Sequence, residues 1–331
     1  MKKVLFMGPD KNQNNGPAIF TKNLIKELEK TDTEITHISK SNFASQLFRT
    51  FNKYDSIIIN SNNLLPMIFC AQIILYKNTK RQLLFVLHGE MGKEVTTPIK
   101  KMLLQLLQSF LLTHCSQIVF VSKMFKEDFL RNLTNNQPIR KKSIVIPNGV
   151  DESVKNKPLT DRTKKSDIDI IYLGGERLEK GYALIQKFLH HPFEYKNKKI
   201  NLHLIGVTPT ETQKTQNNIT VYFYQKLTHQ EIINKFNTCD IIISTSLYET
   251  YGIAILEAYS RGCKVVTYKK AGVLGLIAED KTVFQYQEQT PSSLDTALRK
   301  AINSIEPPDL LIKSSIPTWK DVSVNYKKAL A

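Results

Sequence analysis

Short apolar runs ending near Gly, Pro or Asn alternate along this chain with longer amphipathic stretches, a rhythm that predicts buried parallel strands each followed by a helix. Lys2 to Met7 is the first such run and closes at Gly8 and Pro9. In the stretch that follows, Ile19, Phe20, Leu24, Ile25 and Leu28 fall at helical spacing and form one apolar stripe. Strand signals recur at Ile35 to Ile38, Ser56 to Asn60, Leu83 to Leu87, Gln117 to Val121 and Lys141 to Ile146. Asn63 to Tyr76 and Pro98 to His114 read as helices, and Ser122 as the cap of another. The segment from Pro147 to Asp167 is polar, turn-rich and charged, which marks a linker. Strand, loop and helix then restart at Asp167. Further strands are expected at Leu202 to Gly206, Val221 to Tyr224, Asp240 to Ser246 and Lys264 to Tyr268. Thr228 caps a helix, Ser292 to Ile305 forms another, and a last helix runs from Thr318. The expected domains are 1–150 and 166–317, joined by a linker at 151–165.

Composition narrows the class. The 331 residues suffice for two domains of ordinary size, and 41% apolar with 23% charged residues is the balance of a soluble globular chain. No run reaches the roughly 18 to 20 apolar residues that span a bilayer. MKKVLFMGPD is too short in its apolar part for a signal peptide. The four Cys, at 70, 115, 239 and 263, have no C-x-x-C spacing and read as buried thiols of a cytoplasmic protein. The formal charge is +16, and residues 1–150 carry 21 Lys plus Arg against 10 Asp plus Glu. Such a surface suits an anionic membrane; a basic stripe interleaved with aromatics, the mark of nucleic-acid binding, is missing, so no nucleic-acid partner is expected. Pro98 to His114 sets a Leu-rich face beside Lys100 and Lys101, which fits a core helix or one resting at a membrane interface.

The most informative stretch is DIIISTSLYETYGIAILEAYSRGCKVVT, Asp240 to Thr267, with Glu249 and Glu257 eight positions apart. A strand, the loop Leu247 to Tyr251, a helix opened by Gly252, and Gly262 as a left-handed cap follow from the pattern. Ligands of open α/β sheets bind where strands end and helices begin, because free amides and the helix dipole favour anions there. The amides of Tyr251, Gly252 and Ile253 would therefore hold a diphosphate, Glu249 would reach the group beyond it, and Glu257 would accept ribose hydroxyls. The plain alternative is that Glu257 pairs with Arg261 one turn on and Glu249 is solvated. Arg177 and Lys180, in the loop after Gly174 and Gly175, offer cations for the diphosphate, or partners for Glu176 and Glu179. Asp167 and Asp169 form a D-x-D spacing, but at the amino end of a strand, away from the ligand rim, so no metal site is expected.

ETYGIAILEAYSRGCKVV resembles the E-x7-E segment of family-4 glycosyltransferases, and further pieces fall in that family's order. They are His88 and Gly89, SQIVFVSKMFKEDF (116–129), IPNGVD (146–151), YLGGERLEKG (172–181) and TWKDVSVNYKKAL (318–330). The resemblance implies a GT-B fold, two doubly wound Rossmann-like domains facing a cleft, with the last helix returning to the first domain. It implies that the N-terminal domain takes the acceptor and the C-terminal domain a nucleotide-diphosphate sugar, UDP or GDP. It also implies that Gly16 lies near the donor phosphates, His88 near the transferred sugar, and the segment around Lys226 and Leu227 near the base. Three departures stand out: NNG with Gly16 alone replaces the usual Gly pair, Arg177 and Lys180 stand closer together, and KKAGVLGLI lacks the family's Glu.

The function expected from this is retaining transfer of a hexosyl group to a hydroxyl of a lipid-linked or membrane-associated glycan, without metal or cofactor, in the cytoplasm at the inner membrane face. Glu249, His88, Arg177 and Lys180 would serve catalysis, and Gly16, Gly175, Tyr251, Gly252, Ile253, Glu257 and Leu227 would bind the nucleotide sugar. The alternatives are a non-catalytic GT-B partner that stabilises another transferase, and a transferase for a soluble small-molecule or protein acceptor.

Overall fold

In a computed structural model of the chain, the described residues are 1–13, 16–42, 54–60, 82–91, 97–133, 136–152, 167–191, 195, 198–208, 213–216, 219–306 and 308–331. The apolar stretch Asn63–Tyr76, most of the 151–165 linker, and Asn14 and Asn15 beside Gly16 lie outside them. The chain divides into two compact units: Met1–Gly149 with Pro317–Ala331, and Val150–Ile316.

Unit 1 is built on strands β1 (Lys2–Met7), β2 (Thr33–Ile38), β3 (Ser56–Ile59), β4 (Gln82–Leu87), β5 (Gln117–Phe120) and β6 (Ser143–Val145). They pair parallel in the order β2-β1-β3-β4-β5-β6. The described helices of the unit are α1 (Gly16–Glu29), α2 (Pro98–His114), α3 (Lys123–Arg131), the short α4 (Gln137–Lys141) and the terminal helix Trp319–Leu330. Ser122 caps α3 by accepting from the Phe125 amide. Phe20, on the predicted stripe of α1, sits at the centre of the core. Its ring meets Trp319 and Tyr326 of the terminal helix at centroid distances of 5.9 and 5.8 Å. That helix opens on a Thr318–Asp321 capping box and buries Trp319, Val322, Tyr326 and Leu330 along one face. Each such burial is worth about 1.5–3 kcal/mol, which holds a segment distant in sequence onto the first 149 residues.

Unit 2 contains β7 (Asp167–Tyr172), α5 (Tyr182–Leu189), β8 (Lys199–Ile205), β9 (Gln213–Gln216), β10 (Ile219–Tyr224), α6 (His229–Thr238), β11 (Ile241–Ser244), α7 (Ile253–Ser260), β12 (Lys264–Tyr268), α8 (Leu274–Ile277), β13 (Val283–Tyr286), α9 (Pro291–Asn303) and α10 (Leu310–Ser315). The terminal helix is α11. The sheet order is β13-β12-β11-β7-β8-β10-β9, parallel except for the edge pair β9 and β10. Both units are thus doubly wound, the strand order reversing beside β1, next to the edge of its sheet, and beside β7, in the middle of its own. Several short elements escape the sequence pattern. β9 reads QKTQ, with no apolar residue to signal it; β13, α8 and α10 are four to six residues long. The strand expected over Lys141–Ile146 is shortened to Ser143–Val145, because Gln137–Lys141 forms a helical turn ahead of it.

Candidate nucleotide-sugar site at a strand-order reversal

In unit 2 the order reverses between β7 and β11, the neighbours at which doubly wound sheets open a crevice beyond their carboxyl ends. The loop leaving β7 carries Gly174, Gly175, Arg177 and Lys180; the loop leaving β11 carries Glu249. Tyr172 at the end of β7 donates its hydroxyl to the carbonyls of Gly175 and Lys180. Thr245 beyond β11 donates to those of Lys180 and Gly181. Gly181 adopts a left-handed φ of 71°, and a Cβ there would lie 1.9 Å from the Thr245 carbonyl oxygen. Only glycine lets the two loops approach this closely.

That approach brings together two residues 69 positions apart. Lys180 Nζ lies 2.5 Å from Glu249 Oε2, and Ser246 Oγ donates to the same oxygen at 3.2 Å. Among the described residues Glu249 Oε1 makes no hydrogen bond. The backbone of Glu249 is fixed too. Its amide donates to Lys270 and its carbonyl accepts from Gly272, while Tyr251 accepts from Val273 at 2.6 Å. The KKAGVLGLI segment therefore works as a backbone clamp on the Glu249 loop.

Gly252 then turns the chain into α7 with φ 98°, and no side chain caps this helix. α5 likewise opens on a left-handed Gly181 without a side-chain cap. Of the unit's described helices of eight residues or more, the other two are capped: α6 by a Thr228–Glu231 box and α9 by Thr290. Unsatisfied first-turn amides thus concentrate after the two strands that flank the reversal, where an anion is favoured.

Glu257, one turn into α7, is 7% exposed. Its Oε1 accepts from His229 Nε2 at 3.0 Å, whereas Arg261 reaches only its backbone carbonyl, at 3.2 Å. The alternative pairing of the Glu257 carboxylate with Arg261 is therefore not the one made. His229 was not read from the sequence, since it lies 28 positions away on another helix. Tyr251 is buried, and burial drives its phenol pKa far up, so it stays protonated. Ile253 is the first residue of α7. Gly175 adopts φ 58° and lies against Gly206 at the end of β8. Leu227 is half-buried in the loop between β10 and α6. Arg177 is apart from the Lys180–Glu249 pair: it is 61% exposed and faces Glu179 at 3.6 Å, the alternative partner foreseen for it. Asp169 of the D-x-D pair bonds His203 and Asn201 within the sheet. Among the described residues no cluster of three or more His, Cys, Asp or Glu is arranged to hold a metal ion.

The remaining predicted residues belong to unit 1. His88, just past β4, packs edge-on against Phe20 at 4.6 Å. Burial of its ring lowers the imidazole pKa to about 4, so it is neutral at physiological pH. Gly16 is the first residue of α1, has no positive φ, and a Cβ there would meet nothing within 4 Å. A glycine is not required there by the fold of the described residues. No described helix is long and apolar enough to cross a membrane.

Residues 156–315 match the family described as Glycosyl transferases group 1. The phosphatidylinositol N-acetylglucosaminyltransferase GPI3 subunit of Saccharomyces cerevisiae is 27% identical over 213 residues. That match covers 60% of this chain and 45% of the yeast protein, so the chain spans about half the length of the curated relatives it matches. Among solved structures, Anabaena HepE in complex with UDP and glucose superposes with a TM-score of 0.70 at 15% identity, covering 100% of this chain and 99% of that one. Sucrose-phosphate synthase of Thermosynechococcus elongatus gives 0.73 at 12% identity, over 99% and 98%. The lipopolysaccharide outer core galactosyltransferase WaaB gives 0.68 at 14% identity, over 99% and 98%. The chain has the GT-B fold, and the greater part of its C-terminal unit, residues 156–315, is similar to the group 1 glycosyl transferases.

Proposed function

We propose that this chain is a retaining, metal-independent glycosyltransferase that moves a hexosyl group from a nucleotide-diphosphate sugar to a hydroxyl of a lipid-linked or membrane-associated glycan. The observation that carries the donor half is the pair of half-tethered carboxylates, Glu249 and Glu257, on either side of an uncapped helix start. Each is held through one oxygen and keeps the other for a ligand hydroxyl. Glu257 accepts from the ribose, the amides of Gly252 and Ile253 take the diphosphate, and Glu249 orients the sugar. The names of the structural neighbours, with UDP or UDP-glucose bound, support UDP as the first nucleotide to try.

In the reaction the bond from the anomeric carbon to the diphosphate oxygen breaks, and the charge that develops on the diphosphate is stabilised by helix amides, Lys180 and Arg177. Lys180 must then shift part of its contact from Glu249 to phosphate. The acceptor oxygen bonds to the anomeric carbon on the face the diphosphate leaves, and its proton passes to the departing diphosphate. His88, neutral and partly exposed, is suited to hydrogen bonding and not to storing a proton near pH 7. Calorimetric titration with UDP and GDP tests the site: one should bind, and Glu257→Ala should lose it. If neither binds to the folded protein, the non-catalytic partner reading takes over.

For the acceptor half, α2 leaves Ile99, Met102 and Leu106 more than half exposed and Leu103 partly so, beside Lys100 and Lys101. An apolar face edged with cations on a basic unit complements an anionic lipid surface at the cytoplasmic face of a membrane. The yeast relative is named for a phosphatidylinositol substrate and WaaB for lipopolysaccharide, which supports the same acceptor class. Flotation with phosphatidylglycerol-containing vesicles should recover the protein, and Met102→Asp with Leu106→Asp should release it. Equal activity on a water-soluble acceptor without lipid would favour the soluble-acceptor alternative.

A further inference from the structure

Glu257 is a nearly buried carboxylate with a single hydrogen bond among the described residues, although such a group accepts several. Oε1 is tied to His229, while Oε2 makes no hydrogen bond among those residues and is not sealed from solvent. His229 is the first residue of α6 and follows directly on the Leu227–Thr228 turn. Thr228 and Glu231 already cap that helix, so its start is not an anion site. α6 and α7 pack on one another, which carries the His229 ring over to Glu257. The ring is 44% exposed where the carboxylate is 10% exposed, so the imidazole forms the solvent side of the pair.

We infer that His229 is a positioning residue for the nucleotide: its Nε2–H fixes the plane of the Glu257 carboxylate so that Oε2 faces the ribose hydroxyls. A carboxylate turns broadly about its last side-chain bond, and one strong donor at 3.0 Å removes that freedom before the ligand arrives. Loss of this donor should weaken recognition of the ribose in particular, and leave the diphosphate contacts at Gly252 and Lys180 as they are. The inference rests on the reading of Glu257 as the ribose acceptor.

The test compares UDP with 2′-deoxy-UDP and 3′-deoxy-UDP by calorimetry, or the guanine counterparts if GDP is the nucleotide that binds. The proteins are the wild type, His229→Ala, His229→Gln and Glu257→Ala, each checked for an unchanged melting transition. Wild type should prefer the nucleotide with both hydroxyls. His229→Ala should bind it about tenfold more weakly, the scale of one hydrogen bond to a charged group, and should lose most of that preference. His229→Gln, whose amide can donate to Oε1, should recover both. A merely structural defect would weaken all three nucleotides alike and would not be rescued by Gln, which would overturn the inference. So would an unchanged preference in His229→Ala; if Glu257→Ala loses the preference in the same series, the donor-site reading stands without His229. Absence of binding to both UDP and GDP in the wild type would remove that reading and this inference together.

Discussion

In unit 2 the loops leaving the central strands β7 and β11 are joined through charge: Lys180 meets Glu249 at 2.5 Å, and two uncapped helices start beside them. At the equivalent reversal in unit 1, between β1 and β3, the described residues show no such ion pair between the strand-end loops, and neutral groups pack beside it. Asn60 is 2% exposed and donates to Thr21 Oγ1 at 2.9 Å, and His88 packs edge-on against Phe20. The same winding of the chain thus produces two strand-end rims whose described side chains pair differently. Among the described residues, it is the rim of unit 2 that brings together the uncapped helix starts, the cation and the half-tethered carboxylates that an anionic sugar donor needs. Topology places a rim, and side-chain chemistry decides what it can hold.

The largest effect expected on this contrast comes from Gly181→Ala. A Cβ 1.9 Å from a backbone oxygen, at a φ of 71°, should destabilise unit 2 by about 3 kcal/mol or more and lower its urea midpoint. A variant as stable as wild type would mean that the β7 and β11 loops are not held together as described. Next comes Lys180→Met, which removes the cation but keeps the stem. Turnover of the donor sugar should fall about 100- to 1,000-fold, the scale for removing one group that stabilises a developing anion. A fall below threefold would transfer that role to Arg177 and the amides.

In unit 1 the neutral state of His88 is tested by pH. The His88 pKa is about 4 in the folded chain against an ordinary 6.5, so as the pH falls the unfolded chain takes up the proton first. Folded-state stability should therefore decline between about pH 6.5 and about pH 4, by up to about 3 kcal/mol from this residue. His88→Phe should flatten that part of the urea stability profile, and an unchanged slope would show that the folded chain does not lower the imidazole pKa. The smallest effect belongs to Gly16→Ala. With ordinary helical backbone and open space around it, the melting temperature should stay level or rise slightly. A loss above about 1 kcal/mol would show a constraint at the start of α1 that the geometry lacks.

How much of this was legible in the sequence depended on distance along the chain. Buried strands announce themselves locally: Lys2–Met7 and Lys264–Tyr268 match their apolar runs residue for residue, as does helix Pro98–His114. Gly262 takes the positive φ that its place at the end of a helix implies, whereas the positive φ of Gly252 at the start of that helix has no such local signal. The strand QKTQ carries no local signal, since an edge strand can be polar on both faces. The site pairs are a different matter. Lys180 with Glu249 and His229 with Glu257 join different loops or helices, so no spacing rule links them. Local reading instead suggested Arg261, four positions from Glu257 on the same helix, which bonds the backbone carbonyl and leaves the carboxylate to His229. A signal for His229 existed only in its place, one residue after a helix cap at a strand's carboxyl end. Arg177, by contrast, takes the local partner Glu179 that its own turn provides.

The most direct test of the central claim is a crystal structure of the protein grown with UDP. The account predicts the diphosphate at the first turn of Ile253–Ser260, within hydrogen-bond reach of the Gly252 and Ile253 amides and of Lys180, with a ribose hydroxyl on Glu257. A diphosphate bound at the rim of unit 1, with the Glu257 carboxylate still open to solvent, would contradict it.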